Sequence, residues 1–412
     1  MAKQKLQSIR GIHDGLPAQV RAWRHIENVA RDVFASYAFA EVRLPILEPT
    51  ALFVRSVGEK TDIVSKEMYA FEDQGGDNIC LRPEGTAGAV RAYLQAGLTR
   101  AGAQRWFYMG AMFRRERPQK GRLRQFQQIG AEFFGASAAV EDAEVLAMAQ
   151  LFLDKLGIQE TRLEINSLGC TSCRPDYREA LLTFLQSKKD SLCETCHERM
   201  DSNPMRVLDC KVKSCQEALT DAPEMVNDLC DTCDTHFSGL KSSLDALDVS
   251  YTINPRIVRG LDYYNRTAFE FITDQLGAQG TVLAGGRYDG LVESLGGPAT
   301  PAIGFAAGME RLEMLLPEIQ QAQPDIAVVA LGEAVMGYAL QQAAKLRQAG
   351  LAVIHCGGGS AKRQFKMADR EGAKFVVTIG EDEMKSNQLM LKNLSTGEQQ
   401  LLTLERIIQM TP

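Results

Sequence analysis

The chain has 412 residues, 45% hydrophobic and 24% charged, with a formal net charge of −6. That balance belongs to an ordinary globular protein of two or three domains, and it excludes a largely disordered chain or a uniformly basic nucleic-acid binder. It leaves room for a local basic patch, because phosphate contacts depend on local charge.

The N-terminal stretch MAKQKLQSIRGIHDG lacks the apolar core of a signal peptide, and no run of about eighteen apolar residues marks a membrane span. A cytoplasmic location is therefore expected, with the ten cysteines reduced or metal-bound. Residues 17–38 predict a helix: Val20, Trp23, Val29, Ala30, Val33, Phe34 and Tyr37 recur at helical spacing, and Pro17 suits a helix start. EVRLPILEPTALFVRSVG reads as an edge-type strand entering a loop, because Pro45 and Pro49 cannot donate to a central ladder. MYAFED and NICLRPEGT, around a Gly-Gly turn, predict a hairpin, and TAGAVRAYLQAG a helix. Two more strands are joined by the basic loop of FRRERPQKGRLRQFQQIGAEFFG, which carries Arg114, Arg115, Arg117, Lys120, Arg122 and Arg124. VEDAEVLAMAQLFLDKLG predicts a helix ending on Gly157. Hairpins alternating with helices make an antiparallel α+β pattern.

Residues 166–250 differ. Eight of the ten cysteines lie between Cys170 and Cys233, in a polar and mostly helical stretch that reads as an insertion. Cys170–Cys173 and Cys193–Cys196 are C-x2-C pairs separated by nineteen residues, a spacing that fits structural zinc. Cys210–Cys215 is wider, and Cys230–Cys233 is again C-x2-C. Four pairs suit two zinc ions, each on a four-cysteine set, or one ion with the other pairs free, and the spacing leaves open which pairs combine. His13, His25, His236 and His355 have no ligand-like spacing.

Residues 251–315 return to strands, in EFIT, TVLAGGRYDG and PAIGFAAGMERL. After the linker-like PEIQQAQPD, the tail from Asp325 alternates IAVVAL, GYALQQAAKLRQAG, LAVIHC, SAKRQFKMADREGA and KFVVTIG. Short apolar runs separated by helices predict βαβ units and a largely parallel sheet. The expected organisation is a core of residues 1–165 and 251–320, an insertion at 166–250, and a separate α/β domain at 325–412.

Chemistry concentrates in a few places. With period-two alternation, Phe126, Gln128, Gly130, Glu132 and Phe134 share one strand face, so Gln128 and Glu132 point the same way across a glycine. On pattern alone Glu132 reads as a solvated residue of an edge strand. Arg114 closes the preceding strand, where an arginine can grip phosphate bidentately. LRPEGTAG sets Glu84 and Thr86 at a strand-to-helix junction with free N–H groups, where a plain cap by Thr86 serves equally well. VRGLDYYNRT clusters Arg259, Asp262, Tyr263, Tyr264 and Arg266, and AGGRYDGL adds Arg287 and Tyr288.

Together these segments resemble a known family. YAFAEVRLPILEP is similar to motif 1 of the class II aminoacyl-tRNA synthetases, FRRERPQKGRLRQFQQIGAE to motif 2 and AIGFAAGMERL to motif 3. VRGLDYYNRT and AGGRYDGL resemble the two signatures of the histidyl-tRNA synthetases, and the tail resembles their anticodon-binding domain. The resemblance implies an α+β fold: an antiparallel-sheet class II catalytic core with a helical insertion, plus a C-terminal α/β anticodon-binding domain. It implies histidine and ATP as substrates with Mg2+, tRNA(His) as acceptor, and a homodimer built through residues 17–55, with no membrane association. Arg114 and Arg259 would take the α-phosphate from two sides, and Arg311 the γ-phosphate and adenine. Glu84, Gly85, Thr86 and Gln128 would surround the histidine α-amino group. Glu132 and Tyr264 would bond the two imidazole nitrogens, with Tyr263 beside them; these signatures reverse the solvated reading of Glu132. Arg117, Gln119 and Arg124 would contact the tRNA acceptor end, and Lys362, Arg363 and Lys366 the RNA backbone. A synthetase-like regulatory subunit of ATP phosphoribosyltransferase is the rival, and the tail and intact signatures argue against it.

Overall fold

The computed structural model describes residues 6–58, 61–119, 121–319 and 323–411. Lys120 of the basic loop lies outside them. The chain divides into two compact units, Met1–Ile319 and Gln320–Pro412.

The first unit opens on α1 (Pro17–Ser36), which has Pro17 in its first turn and buries Ile26, Ala30, Val33 and Phe34. Strands β1 (Ala40–Glu41) and β2 (Leu47–Pro49) follow. Thr50–Val57, expected as strand running into loop, is instead helix α2. Pro49 ends the extended run, and Phe53 and Val57 then fall one helical turn apart on a buried face. The hairpin β3 (Tyr69–Glu72) and β4 (Asn78–Leu81) joins β2 in a small antiparallel sheet, and α3 (Thr86–Gln95) leads from it. Strands β5 (Gln104–Phe113) and β6 (Gln125–Phe134) flank the basic loop; α4 (Ala139–Lys155) and β7 (Arg162–Ser167) come next. The cysteine-rich region supplies α5 (Arg174–Ser187), α6 (Glu194–Ser202), α7 (Lys213–Ala218) and α8 (Asp231–Ala246). The unit closes with β8 (Tyr251–Ile253), β9 (Asn265–Ile272), β10 (Thr281–Arg287), α9 (Leu291–Ser294), β11 (Ala302–Gly308) and α10 (Met309–Leu315).

Eight of these strands form one sheet in the order β1-β5-β6-β11-β10-β9-β7-β8. Its six central strands pair antiparallel, and only the edge strands β1 and β8 pair parallel. One face carries Ile129, Ala131, Phe133, Leu283, Ile303 and Phe305, packed in one apolar core with α1, α4 and α8. This corrects one expected boundary: β7 spans position 166, and Phe237, Leu240 and Leu244 of α8 belong to the main core. The cysteine-rich region therefore starts and ends on elements of the body, because β7 must pair with β9.

The opposite sheet face is floored by small residues. Gln128 of β6 lies between Gly110 and Gly308, Gly130 beside Ala306, and Glu132 beside Gly304. Glycine and alanine leave a hollow there that larger side chains would fill.

The second unit contains β12 (Ile326–Ala330), α11 (Met336–Gln348), β13 (Val353–His355), α12 (Ala361–Arg370) and β14 (Phe375–Ile379). It continues with α13 (Glu381–Ser386), β15 (Leu389–Asn393), β16 (Gln399–Leu402) and α14 (Leu404–Met410). The order is β13-β12-β14-β15-β16. The first three strands are parallel, as the alternation predicts, and β15 and β16 add antiparallel pairs. All five residues of β12 are buried, which fits its unbroken apolar run. Among the described residues no helix is long and apolar enough to cross a membrane.

Candidate active site

Glu132 is 1% exposed. Its burial overturns the solvated edge-strand reading, because β6 is a central strand flanked by β5 and β11. A buried carboxylate needs donors, and three hydroxyls supply them. Thr86 Oγ1 donates at 2.8 Å and Tyr108 at 3.0 Å to Oε1, and Tyr288 at 2.5 Å to Oε2. Burial still dominates and pushes the carboxyl up to about 8, against the opposing pull of these hydrogen bonds. Burial, and then the neighbouring Glu132, hold the Tyr108 and Tyr288 hydroxyls well above the usual phenol range, so both remain donors.

Glycines make this packing feasible. A Cβ on Gly304 would lie 1.8 Å from Glu132 Oε2. The Tyr108 ring crosses both Gly85 and Gly130, where a Cβ would come within 2.1 and 2.3 Å of it. Gly85 therefore contributes space.

At the start of α3 the capping group is Glu84 and not Thr86. Its carboxylate accepts the backbone N–H groups of Thr86 at 2.6 Å and Ala87 at 3.0 Å. That frees the Thr86 hydroxyl to reach Glu132. Glu84 is buried, and desolvation raises its pKa while the two N–H groups oppose the rise. Gln128 is 9% exposed, and its Oε1 is buried without a protein partner. A buried acceptor left open faces a ligand more readily than a core. Tyr263 and Tyr264 close the wall, with ring centroids 4.6 Å apart and Tyr288 5.7 Å from Tyr263.

Beside this pocket opens a cleft of about 910 Å3, lined by Gln128, Arg114, Arg259, Arg311, Glu270 and Glu310 among others. Each arginine is held by a carbonyl, carboxylate or ring. Arg114 Nε donates to the Pro83 carbonyl at 2.8 Å, and its guanidinium lies 5.3 Å from the Phe126 centroid. Arg259 Nη1 donates to Glu270 at 2.8 Å, and the guanidinium sits 5.2 Å from the Tyr264 centroid. Its Nε is buried with no hydrogen-bond partner. Arg311 Nη1 donates to the Thr281 carbonyl. Desolvation, then the neighbouring Arg122, lowers the Arg311 pKa from the usual guanidinium value. Burial pushes the Glu310 carboxyl up to about 7, while the Gln127 N–H at 2.8 Å holds one of its oxygens.

The structure thus gathers Glu84, Gly85, Thr86, Gln128, Glu132, Tyr263, Tyr264, Arg114, Arg259 and Arg311 around one pocket and cleft. The loop residues stand apart. Arg117 and Gln119 are exposed, and Arg124 turns back onto the carbonyls of Glu116 at 3.3 Å and Arg10 at 3.4 Å. Arg287 and Tyr288 part company although adjacent. Arg287, fully buried, pairs on the core face with Asp142, which also accepts from Thr267 at 2.6 Å. Tyr288 turns to the pocket. Sequence reasoning missed Tyr108 and the role of Tyr288 toward Glu132. The signal for Tyr108 was its place opposite Gly130, visible only once the β5–β6 register is known.

Comparisons with known proteins agree with this geometry. A family model described as "Histidyl-tRNA synthetase" matches residues 11–312, and one described as "Anticodon binding domain" matches 325–411. The chain is 50% identical over 408 residues to a histidine–tRNA ligase of Anaeromyxobacter sp. (strain K), covering 98% of each. It is 48% identical over 403 residues to one from Trichlorobacter lovleyi, covering 97% of this chain and 96% of the relative. The crystal structure of apo S. aureus histidyl-tRNA synthetase aligns with a TM-score of 0.82 at 34% identity, over 99% of this chain and 100% of that one.

Proposed function

The chain belongs to the histidyl-tRNA synthetase family, with the activity of a histidine–tRNA ligase, and from that premise we propose how its own residues carry the reaction. ATP is the substrate, used with a divalent metal, and the family implies binding of histidine and tRNA. In the first step the histidine carboxylate attacks the α-phosphorus of ATP, giving histidyl-adenylate and pyrophosphate. In the second, the terminal ribose hydroxyl of tRNA(His) attacks the acyl carbon and AMP leaves.

The observation that carries the reading is Glu132: a buried carboxylate ringed by three hydroxyls beside an arginine-lined cleft. A neutral imidazole has one donor and one acceptor nitrogen. Glu132 accepts the ring N–H, and Tyr264 bonds the other nitrogen, with Tyr263 packed beside it. Reading a ring at both nitrogens rejects isosteres that lack them. Glu84, Gly85, Thr86 and the open Gln128 Oε1 receive the α-amino group. Arg259 and Arg114 hold the α-phosphate from two sides and stabilise the charge that develops there. The Glu270 ion pair and the Tyr264 ring keep Arg259 extended into the cleft. Arg311 takes the γ-phosphate and stacks on adenine. Glu310 and Glu270 offer the hard oxygen donors that suit Mg2+, which supplies charge neutralisation on the phosphates. The exposed Arg117 and Gln119, with Arg124, meet the acceptor end of tRNA(His), and Lys362, Arg363 and Lys366 the RNA backbone.

The working form is a cytoplasmic homodimer joined through residues 17–55. Support comes from Ile46 and Leu47, exposed at 46% and 49%, and from Phe71 at 48% on the same small sheet. ATP–pyrophosphate exchange with each amino acid in turn tests the assignment. Exchange stimulated by histidine alone supports it; exchange driven by another amino acid, or by none, overturns it.

A further inference from the structure

We infer that the cysteine-rich region holds two structural Zn2+ ions, and that the first braces the histidine-recognition segment through Arg174. One ion sits on Cys170, Cys173, Cys230 and Cys233, the other on Cys193, Cys196, Cys210 and Cys215. Within each group the four sulfurs lie within 4.8 Å of one another. The sulfur–sulfur distances are 3.7 Å for Cys170–Cys173, 3.9 Å for Cys170–Cys230 and 3.9 Å for Cys193–Cys210. With Zn–S bonds of about 2.3 Å, the edge of a tetrahedral tetrathiolate is about 3.8 Å. A disulfide needs about 2.05 Å and would join sulfurs in twos. An all-thiolate set of this geometry selects zinc over harder cations.

The surroundings suit bound thiolates. The N–H of Ser172 points to Cys170 Sγ at 3.4 Å and that of Cys230 to Cys173 Sγ at 3.2 Å; the Cys193 N–H points to Cys215 Sγ at 3.1 Å. Such donors orient ligands and stabilise their charge. The four thiols of each set give up their protons to solvent on binding. The first set ties the end of β7 to the starts of α5 and α8; the second ties the start of α6 to α7 and the turn before it. The short helices α6 and α7 gain most from such a tie.

The link to the pocket is direct. Arg174 follows Cys173, and its guanidinium donates to the carbonyls of Leu168, at 3.2 Å, and Tyr264. The Leu168 N–H donates to Arg266 at 2.7 Å, and the Arg266 N–H to Gly169 at 2.9 Å. Gly169 takes a φ of +61°, and a Cβ there would lie 2.9 Å from Cys173 Cβ. An ion on Cys170 and Cys173 therefore fixes the turn against which Tyr264 is held. This second part rests on Tyr264 as a histidine ligand; the zinc count does not.

Metal analysis of the full-length protein, purified reduced and without chelator, is expected to give two zinc per chain. Cys173→Ser and Cys215→Ser are each expected to leave one. Cobalt substitution should give a thiolate charge-transfer band scaling to two sites, a readout that holds where a variant folds poorly. Arg174→Ala is expected to keep both zinc ions and raise the KM for histidine on the order of tenfold, with the KM for ATP unchanged. Fewer than two zinc per chain, or disulfides within either set by mass spectrometry, overturns the metal assignment. An Arg174→Ala enzyme with normal KM for histidine overturns the brace. If the wild type shows no histidine-dependent exchange, the reading of the pocket fails while the zinc count stands.

Discussion

Glu132 is the residue on which most depends. Its folded pKa of about 8 stands above the ordinary 4.5, so the sign is that of a raised group. The stability it contributes is present below the unfolded value and lost as pH rises through the folded one. The ligand-free protein should lose stability between about pH 4.5 and 8 for this reason. Glu132→Gln cannot ionise, so in thermal melts its Tm relative to wild type should rise across that window, by several degrees. The same variant should raise the KM for histidine about a hundredfold or more in exchange assays, because an amide replaces the carboxylate acceptor. A variant with normal histidine KM would remove Glu132 from recognition. Arg259 makes the contrasting case: Arg259→Ala should slow single-turnover adenylate formation about 100- to 1000-fold while histidine affinity changes little. Equal losses in rate and binding would count against its place on the α-phosphate.

At the scale of elements, the pocket exists because β6 lies between β5 and β11 with glycines opposite its polar residues. Gly304→Ala tests this. The added methyl would meet Glu132 Oε2 at 1.8 Å, and the buried strand cannot move aside cheaply. A stability loss of about 1–3 kcal/mol is expected by denaturant titration, with a raised KM for histidine. Unchanged values for both would mean that the strands separate more easily than their register suggests. The basic loop behaves differently. Arg117 and Gln119 are exposed, so their substitution should leave stability within about 0.5 kcal/mol and weaken tRNA charging alone. Alternation made Gln128 and Glu132 legible as a pair in the sequence. The helix Thr50–Val57 was not legible, because its apolar residues follow two prolines and read as an edge strand entering a loop.

At the scale of the molecule, the two compact units separate the chemistry. Residues 1–319 contain every group assigned to histidine and ATP, and the remainder forms its own sheet and core. A chain of residues 1–319 should retain histidine-dependent pyrophosphate exchange within about threefold of the full chain. Its aminoacylation of tRNA(His) should fall about a hundredfold, through the KM for tRNA. Loss of exchange would show that the second unit supports the first pocket. The exposed Ile46, Leu47 and Phe71 give the dimer a test of its own. Leu47→Asp combined with Phe71→Asp should shift sedimentation from dimer to monomer; an unchanged sedimentation coefficient would move the interface elsewhere.

The sequence by itself determined the chemistry and the order of parts: local patterns of glycine, arginine and tyrosine survive as linear signatures, and period-two and helical spacing survive as elements. Tertiary structure decided what depends on register and on contacts between distant segments. Pairing of β6 with β5 on one side and β11 on the other turned Glu132 from a solvated residue into a buried one with Tyr108 and Tyr288 as donors. Packing of the cysteine-rich helices settled that Cys170–Cys173 meets Cys230–Cys233, fifty-seven residues on, which spacing left open. A linear pattern records which groups a chain carries; only folding sets the distances at which hydrogen bonds and metal–ligand bonds act.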